Sequence, residues 1–332
     1  ELDPDDEGSY INLGDLYRAN LNEPEKAIAE YLKALEINPE SSDALNRIGF
    51  TYRNNLENNE KGLEYYLKAA NIDSLNPHPY GNIGNIYDDQ EKYEKALEYY
   101  SKAIAIDSTE VSFYYNRTSP YMALELYDKA EADYLKAIEL DPDDEGSYIN
   151  LGDLYSDNLN EPEKAIAEYL KALEINPESS TALNRIGVTY KFYLKNNEKA
   201  LEYYFKAAEI DSLYPYPYGN IGIIYNNQEK YEKSIEYYSK AIAIDSTVSH
   251  FYYNRATPYE ALELYDKAEA DYLKVIELDP DDERSYIKLG DLYRANLNEP
   301  EKAIAEYLKA LEINPESSDA LNRIGFTYRN NL

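Results

Sequence analysis

Residues 10–39 read YINLGDLYRANLNEPEKAIAEYLKALEINP, and this stretch decides the fold. Its apolar and small residues recur at the i, i+3, i+4, i+7 spacing of a helix, in two sets: Tyr10, Leu13, Gly14 and Tyr17, then Ala27, Tyr31 and Ala34. A polar run at 20–23 separates the two sets, and Pro39 follows the second. The stretch therefore predicts two amphipathic helices joined by a short turn.

This helix-pair unit recurs along the whole chain. The small residue of the first helix serves as a register mark, at Gly14, Gly49, Gly84, Thr118, Gly152, Gly187, Gly222, Ala256, Gly290 and Gly325. Successive marks are 35, 35, 34 and 34 residues apart, and this sequence of steps then repeats. Tyr17 and Ala27 are ten residues apart, whereas Tyr87 and Ala96 are nine apart. The thirty-fifth residue is therefore predicted to lie in the turn between the two helices, where an added residue costs little.

The order aromatic, Leu-Gly, Tyr, Ala, aromatic, Ala, Pro resembles the tetratricopeptide repeat (TPR) family. The resemblance covers essentially all 332 residues, as nine full repeats and the first helix of a tenth. It implies an all-α fold, a right-handed superhelical α-solenoid of antiparallel helix pairs, running as a single continuous solenoid over 1–332. The departures are tyrosine in place of Trp and Phe, and serine in place of the terminal proline at Ser74, Ser108, Ser212 and Ser246.

A longer period lies on top of the repeat. The motif ELDPDDE begins at Glu1, Glu139 and Glu277, which predicts super-repeats at 1–138, 139–276 and, in part, 277–332. Residues 277–332 differ from residues 1–56 only at Arg284 and Lys288, whereas the second copy differs from the first at more positions. Neither end carries a polar capping helix, so we expect either a segment of a longer array or a subunit that stacks end to end.

Composition narrows the classes of partner. Lys and Arg total 33 against 64 Asp and Glu, a net charge of −31, which disfavours nucleic acid and anionic membranes and favours basic ligands or divalent cations. The absence of cysteine excludes disulfides, thiolate catalysis and cysteine zinc sites. The longest apolar runs fall well short of a membrane span, so no membrane insertion is expected. The compartment stays open between the cytoplasm and an extracellular fibre.

The TPR resemblance also implies where a ligand would bind. In that family the first helices line a concave groove, and ligands meet residues two, five, nine and twelve of each repeat. The corresponding candidates here are Arg18, Asn46, Phe50, Arg53, Tyr115, Asn184, Lys191, Tyr253, Arg294, Asn322 and Arg329. The family's clamp for a C-terminal carboxylate needs a Lys and an Asn four residues apart in one first helix, and no such pair is present. The candidate groove residues are a mixture of polar, basic and aromatic side chains. Such a mixture suits a peptide or a carbohydrate ligand, or a solvated groove without a strong ligand.

Other patterns are interpreted as structural. One tyrosine of each Tyr-Tyr pair occupies a core position, so these pairs indicate packing. Tyr214, Tyr216 and Tyr218 fall in a turn between repeats and are better candidates for a surface contact, although the first copy reads LNPHPYG there. The acidic run at Asp141 is a structural turn and not a calcium loop, because Gly152 stands at its twelfth position. His78 and His250 have no partner histidine, so no metal or cofactor is predicted.

Nothing in the sequence argues for catalysis. The first functional hypothesis is a non-enzymatic scaffold that binds a protein or peptide through the groove of the first helices. The alternative is a structural subunit of a self-assembling filament, in which copies of the chain bind one another end to end. The near identity of the super-repeats favours the filament, whereas a peptide groove specialises repeat by repeat.

Overall fold

The computed structural model describes residues 6–331 of the chain. Over this range nineteen α-helices follow one another with short turns between them, and no strand occurs in it. The start of the first ELDPDDE motif at Glu1, and Leu332, lie outside the described residues. The chain divides between Leu159 and Asn160 into two compact units, called unit 1 and unit 2.

Unit 1 contains nine α-helices and two short π-helical segments, π1 and π2, within the described range. They are α1 (Glu7–Asp15), π1 (Leu16–Asn20), α2 (Pro24–Ile37), α3 (Ser42–Asn54), α4 (Asn59–Ile72), α5 (Pro77–Asp89), α6 (Tyr93–Ile106), α7 (Val111–Ala123), α8 (Tyr127–Leu140), α9 (Glu145–Asp153) and π2 (Leu154–Asn158). Odd-numbered helices are the first helices of the repeats, and even-numbered helices are the second.

Unit 2 continues the same alternation with ten helices in its described part. They are α10 (Pro162–Ile175), α11 (Ser180–Phe192), α12 (Asn197–Ile210), α13 (Pro215–Asn227), α14 (Tyr231–Ile244), α15 (Ser249–Ala261), α16 (Tyr265–Leu278), α17 (Glu283–Ala295), α18 (Pro300–Ile313) and α19 (Ser318–Asn331).

The helices of a pair approach closely because a glycine of the first helix faces a tyrosine of the second. A Cβ added at Gly49 would lie 2.7 Å from Cδ1 of Tyr66, whose ring is fully buried. Gly62 of α4 lies beside Arg53 of α3, so the two helices run antiparallel. The buried ring removes a large apolar area from water, which stabilises the pair. The predicted all-α fold of antiparallel helix pairs is confirmed.

The thirty-fifth residue is absorbed at the end of the first helix. In a 34-residue repeat the carbonyl of Tyr87 accepts from the amide of Lys92, five residues later, at 2.8 Å. In a 35-residue repeat the carbonyl of Tyr52 accepts from Asn58, six residues later, at the same distance. At π1 and π2 this wider turn takes the form of a π-helical segment. The predicted position of the extra residue, between the two helices, is confirmed.

Each turn between the helices of a pair contains one residue in the left-handed region, with φ between 51° and 57°. Three of these are asparagine, which tolerates that region, and the others carry longer side chains. The nine left-handed residues within 6–331 are Asn22, Glu57, Glu91, Glu125, Asn160, Lys195, Glu229, Glu263 and Asn298. At a turn between repeats, the side chain of Ser41 accepts from the amide of Ala44 and caps α3.

Two helix pairs contain a buried ion pair. Arg117 of α7 and Asp133 of α8 make two parallel bonds, Nε to Oδ2 at 2.7 Å and Nη2 to Oδ1 at 2.8 Å. Arg255 and Asp271 repeat the arrangement in unit 2, at 2.9 and 2.7 Å. Burial raises the pKa of Asp271, and the hydrogen bond and charge of Arg255 oppose that rise. The two charge-assisted bonds thus offset part of the cost of burying the carboxylate inside the helix pair.

Candidate functional site

The first helices of each unit lie side by side, so their side chains meet across repeats. In unit 1, α3 contacts α5 and α5 contacts α7, and in unit 2, α11 contacts α13 and α13 contacts α15. We call the side chains that bridge or border neighbouring first helices the first-helix face. In unit 1 it includes Asp15, Arg18, Asn46, Arg47, Phe50, Arg53, Asn82, Asn85, Asp89, Tyr115 and Asn116.

The first cleft on this face is built around a cation on an aromatic ring. The guanidinium carbon of Arg18 lies 4.9 Å from the ring centre of Phe50, and Arg18 Nη2 lies 3.6 Å from Asp15 Oδ1. Arg47 of α3 also pairs with Asp15. The cleft has a volume of about 280 Å³ and is lined by Arg18, Asp43, Asn46, Arg47, Phe50 and His78. Charged groups and a half-exposed aromatic ring thus share one concavity.

The same arrangement recurs 276 residues later, in unit 2. The guanidinium carbon of Arg294 lies 5.0 Å from the ring centre of Phe326, and Arg323 donates to Asp291 at 2.8 Å. This cleft measures about 310 Å³ and also includes Asn322. Three residues predicted from the sequence in unit 1, Arg18, Asn46 and Phe50, therefore line one cleft, and the predicted Arg294 and Asn322 line its equivalent.

A second cleft in unit 1, of about 260 Å³, is polar. Arg53 Nη2 lies 2.7 Å from Asp89 Oδ2, and the hydroxyl of Tyr100 donates to Asn85 at 2.6 Å. Asn116 also donates to Asn85, at 3.2 Å. The lining is Arg53, Asn85, Asp88, Asp89, Tyr100, Tyr115, Asn116, Thr118, Ser119 and Tyr134. It brings together Arg53 and Tyr115, both predicted from the sequence.

Asp88 gives this cleft an acceptor that sequence reasoning missed. Its Oδ1 is buried and has no hydrogen-bond partner among the described residues. Burial raises the pKa of Asp88, opposed by a hydrogen bond from Ser119. The signal in the sequence is the pair Asp88-Asp89 at the end of a first helix, which becomes Asn226-Asn227 in the second copy. Because this oxygen has almost no exposed surface, a ligand N–H would reach it only after the wall of the cleft moves.

In unit 2 the position of Arg53 is taken by Lys191, which is only 7% exposed. Its ammonium nitrogen lies 3.6 Å from the ring centre of Phe192, and no acidic side chain among residues 6–331 forms an ion pair with it. Burial lowers the pKa of Lys191 to about 8, and the charge of Lys195 adds to that shift. Here the first-helix face carries a desolvated amine where unit 1 has an ion pair.

The remaining predicted residues lie apart from these clefts. Asn184 is 5% exposed and accepts from Asn220 at 3.1 Å, so it ties α11 to α13. Tyr253 packs edge-on against Tyr272, with ring centres 5.9 Å apart. Arg329 is exposed on α19 and lines none of the three clefts. The structure thus groups seven of the eleven candidates into three clefts and separates the others.

Within residues 6–331, no group of three or more His, Cys, Asp or Glu side chains is arranged to hold a metal ion. No helix in the same range is both long and apolar enough to cross a membrane.

Family models of the tetratricopeptide repeat match most of the chain. The matches cover residues 8–41, 111–144, 180–212, 249–282 and 283–317 for one model, 30–63 and 133–167 for a second, and 79–110 and 215–248 for a third. The chain therefore belongs to the tetratricopeptide repeat family, and the resemblance found in the sequence is confirmed. No curated protein sequence matches it.

Solved structures show the same fold at low sequence identity. Yeast Tom70 is 16% identical, with a TM-score of 0.59 over 98% of this chain and 88% of that chain. The APC/C hetero-tetramer Cut9-Hcn1 is 14% identical, with a TM-score of 0.56 over 97% of this chain and 76% of that chain. Pseudomonas aeruginosa pilF is 21% identical, with a TM-score of 0.54 over 68% of this chain and 99% of that chain. Together with the family models, these likenesses establish an all-α TPR solenoid.

Proposed function

We propose that the chain is a non-enzymatic scaffold that binds a protein or peptide through its first-helix face. One observation carries the proposal: the first two super-repeats share their buried tyrosines but differ on this face. The changes include Ser156 for Arg18, Val188 for Phe50, Lys191 for Arg53, Ile223 for Asn85 and Asn227 for Asp89. A surface that only had to repeat itself would not need these differences, whereas a surface that binds a non-repetitive partner does.

The chemistry of the clefts supports a polypeptide partner. Arginine and aromatic side chains are enriched at protein interfaces, and the Arg18–Phe50 pair offers both in one cleft. The half-exposed carboxylate of Asp89 gives the second cleft an accessible acceptor for a peptide amide or a basic side chain. The net charge of −31 favours a basic partner over an acidic one.

The filament alternative rests on the near identity of the super-repeats, and nothing in the comparisons supports it. The single continuous solenoid over 1–332 and its super-repeats also remain predictions. Sedimentation of the chain at rising concentration distinguishes the two functions: growth into long particles supports the filament, and a constant mass supports the scaffold.

Peptide selection tests the scaffold directly. Random peptides displayed on phage are selected on the immobilised chain, and the recovered peptides are then titrated by fluorescence polarisation. We expect the double variant Arg18→Ser/Phe50→Val, which carries the residues of the second copy, to weaken binding to the first cleft about tenfold, or about 1.4 kcal/mol. The matched control is Glu25→Gln, on the exposed side of α2. Recovery of no peptide, or recovered peptides whose binding is weakened by no substitution on the first-helix face, would refute the proposal.

A further inference from the structure

Unit 2 carries a cluster of aromatic side chains at the start of two neighbouring first helices. Tyr214 and Tyr216 lie at the start of α13, and His250 lies at the start of α15. The ring centres of Tyr214 and Tyr216 are 5.4 Å apart, and those of Tyr216 and His250 are 6.3 Å apart with the rings nearly parallel. We call these three residues the aromatic shelf.

The aromatic shelf packs against a buried aromatic ring. The ring of Phe251, which is 1% exposed, lies 6.0 Å from Tyr216 and 4.4 Å from His250. That ring fills the space over Gly219, where an added Cβ would lie 2.5 Å from its Cε1. Phe251 thus gives Tyr216 and His250 a closely packed support, and support of this kind lowers the entropic cost of binding.

The side of the shelf formed by Tyr214 is already occupied. Its hydroxyl interacts with the side chains of Thr181 and Asn184 and with the charge of Arg185, and burial raises its pKa. Tyr216, in contrast, is 43% exposed. Tyr216 is therefore the ring that a ligand would meet, with His250 beside it.

Unit 1 has the same buried ring with fewer rings packed on it. Phe113 lies over Gly81 as Phe251 lies over Gly219, and the three equivalent positions hold Asn76, His78 and Ser112. His78 is aromatic and its ring centre lies 6.0 Å from that of Phe113, so unit 1 has one ring at this place. Unit 2 adds two further rings, Tyr214 and His250, at positions 36 residues apart in sequence. Their meeting in one patch indicates a binding role.

Some half-exposed tyrosines of unit 2 carry a cation over the ring. Tyr203, Tyr225 and Tyr237 have Lys206, Lys233 and Lys240 at 4.9, 5.4 and 4.6 Å from their ring centres. No Lys or Arg among residues 6–331 lies over the ring of Tyr216 in this way. The exposed part of Tyr216 therefore carries no cation and can take one supplied from outside.

We propose that the aromatic shelf binds an arginine side chain of a basic partner polypeptide, its guanidinium stacked on the exposed face of Tyr216. The proposal rests on the scaffold function and names the chemistry of one contact. A planar guanidinium stacks on aromatic rings better than an ammonium does, which favours arginine over lysine. The net charge of −31 attracts such a partner. Burial lowers the pKa of His250, so at neutral pH its ring contributes little opposing charge.

The test uses four labelled peptides of equal length: alternating arginine and glycine, alternating lysine and glycine, a proline-rich sequence and an acidic sequence. Each is titrated into the intact chain by fluorescence polarisation. We expect the arginine peptide to bind most tightly and Tyr216→Ala to weaken its binding about fivefold to tenfold. Tyr216→His, which introduces the residue of unit 1, should weaken it similarly while keeping the fold, as circular dichroism will check.

A tyrosine of unit 2 that already carries a cation supplies the matched control. Tyr203→Ala should leave the affinity for the arginine peptide unchanged, because Lys206 already lies over that ring. The triple variant Asn76→Tyr/His78→Tyr/Ser112→His should add a second site. Equal binding by Tyr216→Ala and Tyr203→Ala, or tighter binding of the proline-rich peptide, would overturn the proposal. If phage-selected peptides still bind the first-helix face in either of these cases, the scaffold function stands and the shelf alone is rejected.

Discussion

Arg53 on α3 and Asp89 on α5 form an ion pair of 2.7 Å that ties two neighbouring first helices. In the second super-repeat both positions have changed, to Lys191 and Asn227, and the lysine is buried without a carboxylate partner among the described residues. Removal of an unpaired buried charge should stabilise a protein, whereas removal of a paired one should not. The two super-repeats therefore respond in opposite ways to the loss of the same cation.

Lys191→Met should raise the free energy of unfolding at pH 7 by about 1–3 kcal/mol. The folded-state pKa of Lys191, about 8, lies below its ordinary value of 10.5, so the unfolded state binds more protons between these pH values. The penalty from Lys191 is thus fully present below pH 8 and is relieved as pH rises toward 10.5. Urea unfolding of both chains at pH 7 and pH 10 measures the difference. Arg53→Met is the control and should lower stability at both pH values.

The change in stability on replacing a register-mark glycine by alanine should depend on whether a tyrosine ring packs against that glycine. Gly49→Ala places a Cβ 2.7 Å from the ring of Tyr66 and should cost about 1–3 kcal/mol. Gly325 occupies the identical sequence context 276 residues later, yet no described atom lies within 4 Å of an added Cβ there. Gly325→Ala should therefore stabilise α19 by about 0.5–1 kcal/mol, because alanine favours the helix. Equal effects in thermal unfolding would contradict this account.

The left-handed residue of each turn offers a stabilising substitution. Glu229 has φ 57°, which is unfavourable for a long side chain, and asparagine occupies the same position at Asn22. Glu229→Asn should add about 0.5–1 kcal/mol to the free energy of unfolding. Glu236→Asn, inside α14, should instead cost about 0.5 kcal/mol through lower helix propensity and loss of the ion pair with Lys240. A destabilised Glu229→Asn chain would refute the argument.

The buried ion pair of Arg255 and Asp271 should show strong coupling. Arg255→Met leaves the carboxylate of Asp271, which is 4% exposed, without its cation and should cost about 3–5 kcal/mol. The double variant Arg255→Met/Asp271→Leu should recover most of that loss, because no charge is then stranded. Acid should also rescue the single variant in part, since protonation neutralises Asp271. If the single and double variants unfold at the same urea concentration, the pair is not coupled.

Most of the fold could be predicted from the sequence because each repeat folds through neighbours close along the chain. The glycine mark, the tyrosine that covers it and the extra turn residue are all set by spacings of nine to seventeen residues. The π-helical form of π1 and π2 was not predicted, since α17 has nearly the same sequence and stays α-helical. Local spacing thus determines the pair but not the finer geometry of its turn.

The site was predicted less completely, because its contacts join residues of successive repeats. The bond between Arg53 and Asp89 spans 36 residues, and no local pattern selects that partner. The family resemblance placed Arg18 and Phe50 on one face, and the structure brings them into contact. It also placed Asn184 there, but that side chain is buried and bonded to Asn220 of α13, which belongs to the next repeat.

The wider hydrogen-bonded turn that closes the 35-residue repeats has a consequence for how such chains vary. The carbonyl of Tyr52 accepts from the amide six residues later, and that of Tyr87 accepts from the amide five residues later. In both cases the residue that donates this bond directly precedes the second helix. A single-codon insertion at this point therefore keeps the antiparallel helix pair, and at π1 and π2 it changes only the end of the first helix to a π-helical segment. Repeats of 34 and 35 residues can therefore replace one another. Exchanging them in an engineered chain should change the surface side chains and keep the packing between successive repeats.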